Sequence, residues 1–517
     1  MSTIKILWVD DEIDLLKPHI LFLEKKEYSV TTCSNGSDAL DLVPNGNFDI
    51  VFLDENMPGL SGLDVLSTIK ELKPTLPIVM ITKSEEEQIM EEAIGGNISD
   101  YLIKPVNPNQ ILLSLKKNLD HTRLIAEKTT ADYQQEFRNI AMEMMDVDSY
   151  DEWSDFYKKL IHWELALDAI DEPAMRAILD SQKQEANAKF FKFIVNNYKT
   201  WFDANKDKPI LPFELFKKHV VPNLQNNEKT LFIVIDNLRY DQWRIIEPII
   251  TKYYKVSEEH MFYSMLPTAT QYARNAIFSG LTPLEMAKQY PMYWKNDPDE
   301  GGKNLYENEF LKGQLAQLKL DIKHQYHKIT NLKNGQKLAD SFNTQKDNDL
   351  TVVVYNFVDI LSHSKTDMQV IKELASDDKG YRLLTKSWFE NSPLLAIIQQ
   401  AQTLGMKLII ATDHGTINVT RPTKIIGNKD ISSNLRYKMG RSLSYNKKDV
   451  LIANNPEEIG LPSININSKF VFAKEDYFFA YPNNYNYYVN YYKNTYQHGG
   501  ISLEEMLIPC IKLDPRK

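Results

Sequence analysis

The chain has 517 residues and a net charge of −10, from 70 Asp and Glu against 60 Lys and Arg. That balance argues against a protein that coats duplex DNA, which calls for an excess of basic side chains, while an apolar fraction of 43% is enough for several packed cores. No run of about 18 uncharged apolar residues occurs, so no membrane insertion is expected; with two cysteines, Cys33 and Cys510, and no signal-peptide pattern before Asp10, the expectation is free thiols in a cytoplasmic protein.

At about 150 residues per domain the length implies three to four domains. Over the first 120 residues strand-like and helix-like patterns alternate, with strands expected at Ile4–Val9, Val30–Thr32, Asp49–Leu53, Ile78–Ile81 and Tyr101–Ile103. Five such units, each followed by a helix, make a doubly wound five-stranded parallel sheet. Acidic residues stand at the strand tips: Asp10 and Asp11 after the first, Asp54 after the third. Thr82 follows the fourth, and Lys104 follows the fifth. Carboxylates crowded at one edge repel one another, and a divalent ion with oxygen ligands, for which Mg²⁺ is suited, offsets that cost. Asp54 is then placed to accept a phosphoryl group that Thr82 and Lys104 would hold.

This constellation resembles a response-regulator receiver domain over residues 1–120. The resemblance implies Asp54 as phosphoacceptor; Asp10, Asp11 and Asp54 as Mg²⁺ ligands, with Asn56 contributing a backbone carbonyl; and Thr82, Lys104 and the aromatic Tyr101 as the switch.

Residues 121–205 hold one proline, Pro173, and no glycine up to about Phe202. Leu124, Tyr133, Phe137, Ile140, Met144, Trp153, Phe156, Leu160 and Trp163 recur at three- and four-residue intervals, which predicts several helices in a small bundle. No recognition-helix pattern is present. The polar, then proline-rich stretch Asn205–Pro212 marks the next boundary.

From residue 206 to 517 an α/β domain is expected. Leu231–Ile235 is a continuous apolar run ending in Asp236 and Asn237; Leu350–Phe357 leads to Asp359, and Lys407–Thr412 to Asp413 and His414. These read as strands buried on both faces. Ligands bind at the carboxyl edge of such sheets, and three strands ending there in carboxylates need positive charge between them. Asp359 and His363, four apart, share a helix face. His498 closes a tyrosine-rich segment, Tyr477–Tyr496. Three Asp and three His form two sites of mixed oxygen and nitrogen donors, suited to Zn²⁺, with Mn²⁺ as the alternative. Gln271–Ser279 reads as a helix closed by Gly280. Thr270 stands in the N-cap position, either as a simple cap or as a nucleophile.

The arrangement resembles the alkaline phosphatase superfamily and, within it, PglZ-type domains. The resemblance implies an α/β/α domain in which Asp359, His363 and His498 hold one Zn²⁺ while Asp236, Asp413 and His414 hold the other. It also implies that Thr270 is the catalytic nucleophile of a two-zinc phosphodiesterase, passing through a phosphothreonine. Arg274, one turn past Thr270, is either a phosphate contact or a solvated helix residue. Pro291–Gly302 and Asn304–Asp347 are expected to cap the cleft. Tyrosines near His498 suggest a single-stranded or cyclic oligonucleotide, or a small nucleotide, as substrate.

Taken whole, the chain resembles PorX-type response regulators, a family linked to type IX secretion. That implies phosphorylation by a sensor histidine kinase, homodimerisation on phosphorylation, and altered catalysis or partner binding. The alternative is a metal-stabilised interaction module that relays phosphorylation to a transcription or secretion component.

Overall fold

The computed structural model describes residues 4–83, 98–170, 172–203, 205–375, 377–427, 434–465 and 467–516. The chain divides into two compact units, 1–135 and 136–517.

In the first unit, strands β1 (Lys5–Val9), β2 (Ser29–Cys33), β3 (Ile50–Asp54), β4 (Ile78–Thr82) and β5 (Asp100–Ile103) form one sheet in the order β2-β1-β3-β4-β5. Every pairing is parallel. The two-residue side-chain period splits the core into two layers. Leu7, Val9, Val51, Leu53, Ile78 and Met80 face one way; Ile6, Trp8, Ile50, Phe52, Val79 and Ile81 face the other. Helices α1 (Lys17–Glu24), α2 (Gly36–Asn45), α3 (Gly62–Leu72) and α4 (Pro108–Leu115) connect or follow the strands. Asp54 and Thr82 are the last residues of their strands rather than the first beyond them. The helix expected between β4 and β5 falls on residues 84–97, outside the described residues.

Helix α5 (His121–Asp146) leads to α6 (Tyr150–Ile170) and α7 (Pro173–Asn197). The last two bury aromatic faces within the second unit. Trp153 stacks edge-on against Phe190 at 5.3 Å, and Trp201, in the turn after α7, against Tyr263 at 5.1 Å.

The sheet of the second unit contains β6 (Thr230–Ile235), β7 (Tyr254–Tyr263), β8 (His324–Ile329), β9 (Leu350–Tyr355), β10 (Lys407–Ala411) and β11 (Leu507–Pro515), ordered β7-β11-β10-β6-β9-β8. The three strands picked out by their apolar runs, β10, β6 and β9, are parallel neighbours. Their carboxyl ends therefore share one edge. The region expected to cap the cleft is only partly a cap. His324–Ile329 within it is a strand of the main sheet, parallel to β9. It lies at the border with most of its residues half-exposed, so it lacks the apolar run that betrays a central strand.

Candidate metal-dependent phosphoryl site

In the first unit, β1 and β3 deliver Asp10 and Asp54 to one point, both buried, with Asp11 exposed beside them. Ligand oxygens of the three lie within 4.8 Å of one another. The Lys104 ammonium sits 2.9 Å from both Asp10 and Asp54. Burial pushes the Asp54 carboxyl up to about 6, an effect that Lys104 partly offsets. Burial alone would lower the Lys104 ammonium, but the two carboxylates more than reverse this. Thr82 donates its hydroxyl to the Glu55 carboxylate. Asn56 is exposed and donates its side-chain amide to the same carboxylate at 3.2 Å. Tyr101 is half-buried against the Leu7–Val51 layer.

In the second unit, the turn after β6 places Asp236 at the sheet edge, buried, and Asn237 takes a left-handed backbone with φ of 65°. Two residues beyond β10 come Asp413 and His414, also buried. Here Gly415 is required: a Cβ would stand 1.9 Å from the Glu504 carbonyl oxygen. Short strands Ile417–Val419 and Thr495–Gln497 pair antiparallel, with Ile417 opposite Gln497. That register lays His498 against His414, ring centres 4.2 Å apart and nearly parallel. From helix α9 (Phe357–Asp367), Asp359 lies 3.5 Å from His363 and 3.6 Å from His498. Asp236 and Asp413 lie 3.7 and 3.9 Å from His414. The six residues thus separate into Asp359/His363/His498 and Asp236/Asp413/His414, each with ligand atoms within 4.8 Å of one another.

Both buried imidazoles are oriented by backbone. His414 Nδ1 lies 3.0 Å from the Gly415 carbonyl and His498 Nδ1 3.1 Å from that of Thr268. A proton held on Nδ1 by a carbonyl leaves the Nε2 lone pair facing the cluster. Burial holds both imidazoles below their usual range, in the neutral form that can ligate.

Thr270 is the first residue of helix α8 (Thr270–Ser279); the N-cap is Ala269. The capping assignment is therefore corrected: its hydroxyl points into the cluster, 3.0 Å from His414 Nε2 and 3.3 Å from Asp236. Gly280 closes the helix with φ of 66°, as its position predicts. The solvated reading of Arg274 is corrected. It is 1% exposed, and its guanidinium binds Asp236 at 2.6 Å and Glu307 at 2.5 Å. Its i, i+4 relation to Thr270 turns it inward under the sheet edge.

Thr270 and His498 open onto a cavity of about 610 Å³, also lined by His363, Asp297, Asn304 and Tyr492. Asp297 and Asn304 come from the two segments expected to cover the cleft. Five of the eight tyrosines of the tyrosine-rich segment lie on a helix, Tyr485–Tyr492, that buries none of its residues.

Three family models cover most of the chain: a response regulator receiver domain over residues 6–116, a PorX response regulator linker domain over 123–202, and a BREX system PglZ alkaline phosphatase-like domain over 215–513. The last takes in more than half of the chain. The chain belongs to the PglZ alkaline phosphatase-like family. Receiver, PorX linker and PglZ domain together match the PorX-type architecture. The combination supports a phosphorylation-controlled regulator, and the PglZ domain places its second unit in a superfamily of phosphoric ester hydrolases.

Curated relatives match part of the chain. Transcriptional regulatory protein ResD of Bacillus subtilis (strain 168) is 35% identical over 112 residues, 22% of this chain and 46% of that protein. Transcriptional regulatory protein SrrA of Staphylococcus aureus (strain NCTC 8325 / PS 47) is 26% identical over 38% of this chain and 70% of that protein. The chain thus spans about half the length of ResD. A CheY-like receiver domain protein from Methanospirillum hungatei JF-1 is 27% identical over 23% of this chain and 96% of its own, with a TM-score of 0.23.

The donor chemistry of the PglZ domain fits bound cations. One carboxylate oxygen of Asp413 is buried and accepts no hydrogen bond, with Arg274 4.0 Å away. Burial and the Asp236 carboxylate push the Asp413 carboxyl well above its usual range, which is the signature of a cluster short of positive charge. Neutral imidazoles and clustered carboxylates together form a mixed donor set of the kind that holds transition ions.

Several supporting residues escape sequence reasoning. Asn237 donates its backbone N–H to Asp413 at 3.2 Å and its amide to Ser362 at 3.1 Å. Glu307 anchors Arg274, and Glu55 takes the Thr82 hydroxyl. Only Asn237 carried a signal, as the polar residue directly after a buried strand's terminal carboxylate.

Proposed function

We propose that the chain is a response regulator whose PglZ domain is a two-zinc phosphodiesterase acting on single-stranded or cyclic oligonucleotides or small nucleotides, under control of phosphorylation at Asp54 by a sensor histidine kinase. The observation that carries this is the Thr270 hydroxyl, held between Asp236 and His414 at the mouth of the cavity. A docking scaffold needs no hydroxyl there.

Asp359, His363 and His498 would hold one Zn²⁺ and Asp236, Asp413 and His414 the other. Bound Zn²⁺ supplies Lewis-acid charge that eases deprotonation of a nearby hydroxyl and stabilises an oxygen leaving phosphorus. Thr270 gives its proton to water and its Oγ attacks phosphorus. The P–O bond to the leaving alcohol breaks, and that oxygen takes the electron pair and a proton. Water then attacks the phosphothreonine, and Thr270 leaves and is reprotonated. Arg274 holds the Asp236 carboxylate in place throughout.

In the receiver, Asp10, Asp11, Asp54 and the Asn56 carbonyl would hold Mg²⁺, which supplies charge to neutralise an incoming phosphoryl group. Phosphorylation at Asp54 adds negative charge that Thr82 and Lys104 capture, biasing the face that carries Tyr101. The expected readout is homodimerisation. The PorX-type architecture favours an output in type IX secretion.

The test is hydrolysis of a chromogenic phosphodiester with Zn²⁺. Thr270→Ala should lose at least about a thousandfold in rate; equal rates would end the proposal. For the switch, light scattering should show a monomer-to-dimer shift with a phosphoryl mimic in the wild type and none in Asp54→Ala.

A further inference from the structure

Residues 477–503 contain no Asp or Glu, in a chain where 70 of 517 residues are acidic. Helix α10 (Tyr485–Tyr492, YNYYVNYY) lies in the middle of this stretch and buries none of its residues. Val489 and Tyr492 pack against the Ile417/Val419/Phe478 cluster, while Asn486, Tyr487, Tyr488 and Asn490 are exposed. Tyrosines of the helix form two rows at the i, i+4 spacing. Tyr487 and Tyr491 stack 6.1 Å apart with ring planes 12° from parallel; Tyr488 and Tyr492 stack 6.2 Å apart, also at 12°. Tyr487 is 64% exposed and Tyr488 37%. Cations flank the rows: Lys424 lies 5.0 Å from the Tyr485 ring centre and Lys372 5.1 Å from that of Tyr491. Tyr492, at the end of one row, also lines the cavity that holds Thr270 and His498.

We propose that α10 is an exosite for single-stranded nucleic acid, a stacking track that carries the strand out of the catalytic cavity from Tyr492 to Tyr488. Bases stack on tyrosine faces whatever their sequence. A stretch with no carboxylates of its own, with lysines beside the rings, contributes no repulsion of the phosphates. Continuity with the cavity selects this occupant over a protein strand or helix, because the same polymer would pass from the rings to the Thr270 hydroxyl. The inference rests on the phosphodiesterase reading. It adds that the enzyme discriminates by length, taking oligonucleotides that extend beyond the scissile bond over small diesters.

Two measurements on the full-length, Zn²⁺-supplemented chain decide it. The first is fluorescence anisotropy with a labelled oligothymidylate decamer in a Thr270→Ala background, where the strand is not consumed. Adding Tyr488→Ala should weaken binding about tenfold, and Tyr488→Phe, which keeps the ring, should restore it. The second is kcat/KM across oligothymidylates from dimer to decamer. The wild type should gain with length and Tyr488→Ala should lose that gain, with the rate on a chromogenic diester within about twofold of wild type. Equal decamer binding with and without Tyr488→Ala, or no binding at all, overturns the track and leaves the rings to a protein partner. Absent hydrolysis of every substrate with ring-dependent decamer binding would overturn the phosphodiesterase reading and keep the track.

Discussion

Two clusters of carboxylates stand at the carboxyl edges of two parallel sheets in this molecule, and they treat their charge in opposite ways. The Asp10/Asp11/Asp54 cluster carries a protein cation within it: Lys104 lies 2.9 Å from two of the three carboxylates, and the third is exposed to water. The Asp236/Asp359/Asp413 cluster sets its guanidinium to one side. Arg274 pairs with Asp236 and with Glu307, which Lys328 also binds, while an oxygen of Asp413 accepts no hydrogen bond. Neutral imidazoles face the remaining carboxylates. The first arrangement offsets one of its three negative charges with a protein cation and leaves room for a divalent ion, which suits a site whose charge changes reversibly. The second leaves carboxylates without a protein cation at the edge of a cavity, a donor set that fits bound cations.

The sharpest way to break this contrast is to remove an unpaired ligand. Asp413→Asn should lower the bound transition metal from two ions per chain to about one and abolish phosphodiester hydrolysis, while Asp54 still accepts a phosphoryl group. Elemental analysis and labelling from a small phosphodonor check both halves. Metal removal comes next. Chelation should destabilise residues 136–517 by about 4 kcal/mol or more, relative to Zn²⁺ at a thousandfold over its Kd. It should leave the first unit near its own stability, so calorimetry should show one transition moving and one staying. Truncating the buried cation, Arg274→Ala, strands Asp236 in the interior, while Glu307 keeps Lys328, and should cost about 3–5 kcal/mol in denaturant unfolding.

The smallest effect lies outside both clusters and tests whether proton linkage there contaminates the comparison. Burial, and then the neighbouring His260 ring 4.5 Å away, lowers His219 to about 4. Its folded pKa is below the unfolded value, so the folded state prefers the neutral ring. The stability it contributes is complete above about pH 6.5 and is lost as pH falls towards 4, by about 2–3 kcal/mol. His219→Phe should flatten that part of the stability profile of the second unit.

Much of the site was legible because its ligands follow strands whose apolar runs announce themselves. Asp54 after Ile50–Leu53, Asp236 after Leu231–Ile235 and Asp413 after Leu408–Ala411 each mark a strand end, and Asp359 with His363 needed only helical spacing. Arg274 was not legible: helical periodicity places it one turn from Thr270 but does not reveal Glu307, 33 residues on, waiting beneath it. His324–Ile329 hid as a border strand, since a half-exposed strand carries no apolar run. The surface helix α10 was not legible in the tyrosine segment, because exposure of aromatic residues is decided by the fold and not by their neighbours in sequence.

The sequence by itself determined the succession of receiver, helices and α/β domain, together with which carboxylates stand at the strand ends. Both follow from local rules, since strand and helix periods are set by neighbouring residues and a carboxylate at a strand's end is visible in one dimension. Only the tertiary structure decided which donors face one another, that Thr270 points inward rather than capping its helix, and that Arg274 is buried. Those outcomes depend on strand order and on register, such as Ile417 opposite Gln497, which bring together residues more than 200 positions apart such as Thr268 and His498. Long-range pairing of that kind is fixed by the packing of whole elements, and no short stretch of chain encodes it.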